Sequence, residues 1–91
     1  MELPKQFVLS QNYPNPFNPL TRIHYELPSD VHVSLTVLDL LGQAVKTLID
    51  EEKVAGIYDF DFDGSSFASG MYFYRISAGN YTQVKKMVIV K

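Results

Sequence analysis

The stretch Met71-Tyr72-Phe73-Tyr74-Arg75-Ile76-Ser77-Ala78-Gly79-Asn80-Tyr81-Thr82-Gln83-Val84-Lys85-Lys86-Met87-Val88-Ile89-Val90 is two alternating runs around a Gly-Asn pair. A two-residue Gly-Asn loop signals a type II′ hairpin, because glycine takes positive φ at the first turn position without a steric penalty. That turn sets the register. Pairing Ala78 with Tyr81 puts Arg75 opposite Val84 and Phe73 opposite Lys86. Those residues share a face with Met71, Val88 and Val90. The other face carries Tyr72, Tyr74, Ile76, Met87 and Ile89 and is expected to be the core face, since it lacks Arg75 and Lys86. The outward stripe of Met71, Phe73, Val88 and Val90 either marks a docking surface or is covered by loops or by the N-terminal segment.

The period of two continues upstream. Ile23, Tyr25 and Leu27 alternate with Arg22, His24 and Glu26, and the run stops at Pro28-Ser29-Asp30. Val31, Val33, Leu35 and Val37 alternate with His32, Ser34 and Thr36 up to Asp39-Leu40-Leu41-Gly42, whose first and fourth residues suit a type I turn. Tyr58, Phe60 and Phe62 alternate with Ile57, Asp59 and Asp61. Ala44 to Ile49 fits a third strand or a helical turn, and Asp50-Glu51-Glu52-Lys53 reads as a solvated loop. With Phe7 to Leu9 as a short first strand, the expected class is all-β, an immunoglobulin-like β-sandwich of about seven antiparallel strands.

Composition agrees with one small domain. In 91 residues, 8 Lys and Arg against 10 Asp and Glu leave a formal charge of −2, which excludes a broadly basic nucleic-acid surface. A chain of this size hides roughly 60 to 65% of its unfolded surface, enough to fold alone with little stability to spare. Without cysteine there is no disulfide staple and no cysteine metal site, and the redox compartment is left open. Lys5 and Gln6 interrupt any signal-peptide core in Met1 to Ser10. The apolar stretch from Leu35 to Leu41 is broken by Thr36 and Asp39 and falls far short of the ~20 residues that span a bilayer, so a soluble domain is expected.

Residues 1–19 form a Pro/Asn-rich lead-in to the sandwich of residues 20–91. Each proline in Gln11-Asn12-Tyr13-Pro14-Asn15-Pro16-Phe17-Asn18-Pro19 removes an N–H donor and pushes its predecessor out of the helical region. The segment is either an extended linker or a lead-in docked on the sandwich edge. Docking is preferred, since a mere tether has little use for Tyr13 and Phe17.

Chemistry-bearing patterns are sparse. Asp59-Phe60-Asp61-Phe62-Asp63-Gly64 matches the opening of a calcium loop, but its twelfth position is Gly70, not the bidentate glutamate. Strand alternation accounts for the same residues as outward aspartates, so no metal site is assigned. His24 and His32 fall on the polar phase of their strands, and Ser65, Ser66 and Ser69 lack a nucleophile-elbow context. Asn80-Tyr81-Thr82 is a formal glycosylation sequon whose asparagine the hairpin turn already explains. No catalytic residue, cofactor, small-molecule substrate or nucleic-acid partner is expected. The cationic end, Lys85 to Lys91, either restrains edge pairing or serves as a recognition element.

Taken together, Leu9 to Pro19, Thr21, Ile23, Tyr25, Leu27, Pro28, the run Val37 to Val45, Gly56-Ile57-Tyr58, Ala68 to Arg75 and Lys86 to Lys91 resemble the type A C-terminal sorting domains of the type IX secretion system of Bacteroidetes and related phyla. The likeness runs from about Phe7 to the end. It implies a seven-stranded sandwich that directs an N-terminal passenger from the periplasm across the outer membrane to the cell surface or medium. The implied partners are the outer-membrane translocon and its shuttle and sortase-like components. Carried over residue by residue, the sorting motifs fall on Gly70, Tyr72, Tyr74, Lys86, Val88 and Lys91. Asn12, Pro14, Asn15, Pro16, Phe17, Asn18, Pro19, Asp39 and Gly42 are structural by the same likeness. Leu38 stands where the family often has an aromatic, on what reads as a solvent face. Because the lead-in follows Met1 at once, the chain is expected to be an excised domain without its passenger. A structural module similar to that of flagellar hook-capping proteins is the alternative. A glycan binder is disfavoured by the absence of Trp.

Overall fold

Alternating side chains place one apolar row on each strand, and two sheets bury those rows against each other. The computed structural model describes residues 2–91, so Met1 lies outside the described residues. The strands are β1 (Val8–Leu9), β2 (Leu20–Leu27), β3 (Val31–Leu38), β4 (Ala44–Lys53), β5 (Gly56–Asp63), β6 (Gly70–Ala78) and β7 (Tyr81–Ile89). The three-stranded sheet has the order β1-β2-β5 and the four-stranded sheet β4-β3-β6-β7, all antiparallel. This is the expected immunoglobulin-like sandwich. Its fourth strand pairs with the third, whereas a constant-type domain keeps its fourth strand in the other sheet.

The terminal hairpin has the register its turn dictates: Ala78 pairs with Tyr81, Arg75 with Val84 and Phe73 with Lys86. Gly79 takes φ +59°, as the first central residue of a type II′ turn requires, and among the described residues only glycines have positive φ. Tyr74, Ile76, Met87 and Ile89 are buried between the sheets with Ile23, Tyr25, Leu27, Val33, Leu35 and Val37. Tyr72 packs at the margin of that core.

Two sequence readings need correction. Asp50 to Lys53 is strand, not loop: Ser34 pairs with Asp50 and Val31 with Lys53, at the end of β4. Acidic side chains there belong to an edge strand, where charge blocks pairing with other chains. Leu38, assigned to a solvent face, is only 6% exposed. It lies on the outward phase beside Phe73, its cross-strand neighbour, at the last pair between the two inner strands of the sheet.

The β3–β4 connection confirms the turn chemistry. The Gly42 N–H donates to the Asp39 carbonyl at 3.0 Å, and the Asp39 Oδ1 accepts the N–H groups of Leu41 and Gln43 at 2.9 Å each. Gly42 supplies φ +81°.

Candidate functional site

The segment from Ser10 to Phe17 bonds to both sheets. Its first half joins the three-stranded sheet: the Ser10 N–H donates to the His24 carbonyl, and Tyr13 and Arg22 exchange both backbone bonds. Its second half crosses to the other sheet, where Phe17 forms a parallel bridge with Ile89 and is buried to 2% exposure. The peptide bonds preceding Pro14, Pro16 and Pro19 are cis.

A polar cluster fixes the crossing. The Asn12 Nδ2 donates to the Thr21 hydroxyl at 3.0 Å and to the Pro14 carbonyl at 3.2 Å, and the Thr21 hydroxyl donates to that same carbonyl at 2.8 Å. Asn12 and Thr21 are both buried. The Asn12 backbone N–H donates to the Tyr74 hydroxyl, which itself donates to the Ser10 carbonyl. Burial pushes the Tyr74 phenol up to about 12, against the opposing pull of the Asn12 N–H. Among the described residues no buried side-chain polar atom is left without a partner, so the cluster is a satisfied one.

Phe17 meets Phe62 edge-on, and Phe62 in turn meets Phe67. Gly64 is buried at this junction: a Cβ there would stand 3.1 Å from both Phe17 Cε2 and Ile89 Cδ1. The Gly64 N–H donates to the Pro19 carbonyl at 2.8 Å, tying the end of the lead-in to the β5–β6 loop.

The β6–β7 end gathers several of the residues singled out from sequence. Gly70 pairs with Ile89 and has φ +151°, a backbone region open only to glycine without strain. Tyr72 hydrogen-bonds the Ala68 carbonyl at 2.9 Å and meets Phe67 edge-on, the tyrosine-corner arrangement of immunoglobulin-like folds. Lys91 donates through its backbone N–H to the Ser69 hydroxyl at 3.1 Å and through Nζ to the Ser65 carbonyl at 2.6 Å. Val88 is half-buried on the outward face and Lys86 is exposed. Tyr74 is fully buried in mid-strand and offers no surface. Met71 and Val90, at the end of the outward stripe, are 39% and 49% exposed. Of the lead-in residues, Pro14, Asn15, Pro16 and Asn18 are exposed.

The acidic residues of β5 are each engaged separately. Asp61 holds the Arg22 guanidinium at 2.8 Å, which lowers the Asp61 carboxyl pKa, and Asp63 accepts the Ser65 N–H, which lowers its own. Asp59 joins an arrangement that sequence reading missed. His24 sits between Glu26 at 2.7 Å and Asp59 at 2.9 Å, and His32 between Asp50 at 2.6 Å and Glu52 at 3.2 Å. Hydrogen bonds to those carboxylates raise both imidazoles above their usual value, led by Glu26 for His24 and by Asp50 for His32. Register places Asp59 opposite His24 and Glu52 opposite His32, while Glu26 lies two residues along the strand of His24.

The site is thus a presented strand end, braced from one side by the lead-in and from the other by the β5–β6 loop. A family model described as the secretion system C-terminal sorting domain matches residues 11–90. No curated protein and no solved structure matches the chain.

Proposed function

The chain belongs to the secretion system C-terminal sorting domains, and from that premise we propose that it directs an N-terminal passenger across the outer membrane through the type IX translocon to the cell surface or medium. The family is one of sorting signals, not of enzymes. The domain is read by the translocon's shuttle component and released by its sortase-like component. In this reading Lys86, Val88 and Lys91 supply the contacts, while Gly70, Tyr72 and Tyr74 hold the strand that carries them. Residues 1–19 act as part of the same signal.

The observation that supports this most is the double pinning of Lys91 to Ser65 and Ser69, which gives the cationic end a defined place instead of leaving it free. Fusing the domain behind a periplasmic fluorescent reporter, in a bacterium that has the secretion system, tests it. Surface signal that disappears on replacing Lys86 and Lys91 by alanine, with folding retained by circular dichroism, is the expected result. Reporter confined to the periplasm in both cases, while an established sorting domain exports it, would leave a structural module as the reading.

A further inference from the structure

The last strand has a free edge, and the lead-in seals only part of it. In β7 the backbone groups of the even-numbered residues point away from β6. Gln11 Nε2 donates to the Lys86 carbonyl, Asn15 Oδ1 accepts the Val88 N–H at 2.9 Å, the Phe17 N–H donates to the Val88 carbonyl at 3.0 Å, and the Val90 N–H donates to the Phe17 carbonyl at 2.9 Å. From the Lys86 carbonyl to the Val90 N–H every outward group is satisfied. Thr82 and Val84 receive no such bond from the described residues.

The chemistry of the seal follows from the prolines. Pro14 and Pro16 have no N–H and cannot supply a continuous ladder. The side-chain amides of Gln11 and Asn15 therefore stand in for backbone donor and acceptor, and only Phe17 pairs by its own backbone. Sealing a strand edge removes the template on which another extended chain adds itself.

We propose that Gln11, Asn15 and Phe17 are positioning residues for sorting, which hold Lys86 to Val90 in one extended conformation so that the secretion machinery reads its outward side chains and does not add a strand to this edge. The proposal rests on the sorting reading above. Its most direct test is Asn15, which is exposed and contributes one acceptor. Asn15→Leu removes that acceptor, whereas Asn15→Asp keeps it.

Amide hydrogen exchange by NMR on the 91-residue chain and surface display of the reporter fusion are measured together. Asn15→Leu is expected to speed exchange of the Val88 amide about tenfold while circular dichroism stays native, and to lower surface display several-fold. Asn15→Asp is expected to stay within about twofold of wild type in both. Gln11→Leu, which leaves the Lys86 carbonyl open, serves as a second variant should Asn15→Leu fold poorly. Faster Val88 exchange with undiminished display would overturn the proposal, as would lost display with the Val88 amide still protected. A wild-type fusion that stays periplasmic where an established sorting domain is displayed overturns the sorting reading itself, and this one with it.

Discussion

The Tyr74 hydroxyl accepts the Asn12 backbone N–H at 2.7 Å, so a residue in the middle of β6 holds the middle of the lead-in. The phenol also donates to the Ser10 carbonyl at 2.7 Å, using both of its hydrogen-bonding roles inside the protein. This places the glycine-aromatic run and the Pro/Asn run in one connected structure although 62 positions separate the two residues.

Tyr74→Phe therefore deletes one oxygen and leaves two backbone groups without that partner. Stranded buried polar groups cost about 1–3 kcal/mol, with little cavity term because the ring remains. Urea denaturation is expected to show a lower midpoint with an unchanged slope. An unshifted midpoint would mean that the lead-in finds other partners.

Gly70 has φ +151°, and a Cβ built there meets nothing within 4 Å. The penalty for replacing it is thus backbone strain, about 1–3 kcal/mol, and independent of side-chain size. Gly70→Ala and Gly70→Val are expected to lower the melting temperature by similar amounts. A much larger loss for valine would point to packing instead.

Phe17 is the lead-in's anchor in the core. Phe17→Ala is expected to cost about 3–5 kcal/mol, a large share of the stability of so small a domain, and to be visible as a sharp drop in urea midpoint. Phe17→Leu, which refills most of the volume, is expected to recover more than half of that loss.

The two histidine clamps make stability depend on pH. Both imidazoles have folded pKa values raised above the ordinary 6.5, so their stabilisation is fully present below about that pH and is lost as pH rises through the folded values. The lowered Asp61 and Asp63 carboxyls work in the opposite range: their stabilisation is present above about 3.8 and lost as pH falls through their folded values. The urea midpoint is expected to be higher at pH 6 than at pH 8.5, and the difference to shrink in the His24→Gln, His32→Gln double variant. Imidazole proton titrations by NMR that give both histidines values at or below 6.5 would refute the clamp reading.

The hairpin from Met71 to Val90 was legible because a turn with one allowed geometry fixes a period-two pattern on both sides. The Asp39 to Gly42 turn was legible for the same reason. β4 was obscured: register shifts opposite Leu35/Thr36 and Val37/Leu38 break its alternation, and as an edge strand it carries charge where a loop would. Leu38 was misplaced because alternation tells which side of a sheet a residue faces, and not how much its cross-strand neighbours cover it. The edge seal was illegible altogether. Two of its bonds join backbone groups to side-chain amides over separations of 73 and 75 positions, and nothing in local periodicity encodes such a pairing.

That separation bears on when the strand end comes into being. Bonds between residues so distant along the chain carry the entropic cost of closing the intervening loop. Lys86 to Val90 can therefore acquire its braced form only once the whole chain between it and the lead-in has been made. Loss of either run leaves the other without its bonding partners, so the lead-in and Lys86 to Val90 stand or fall as one unit.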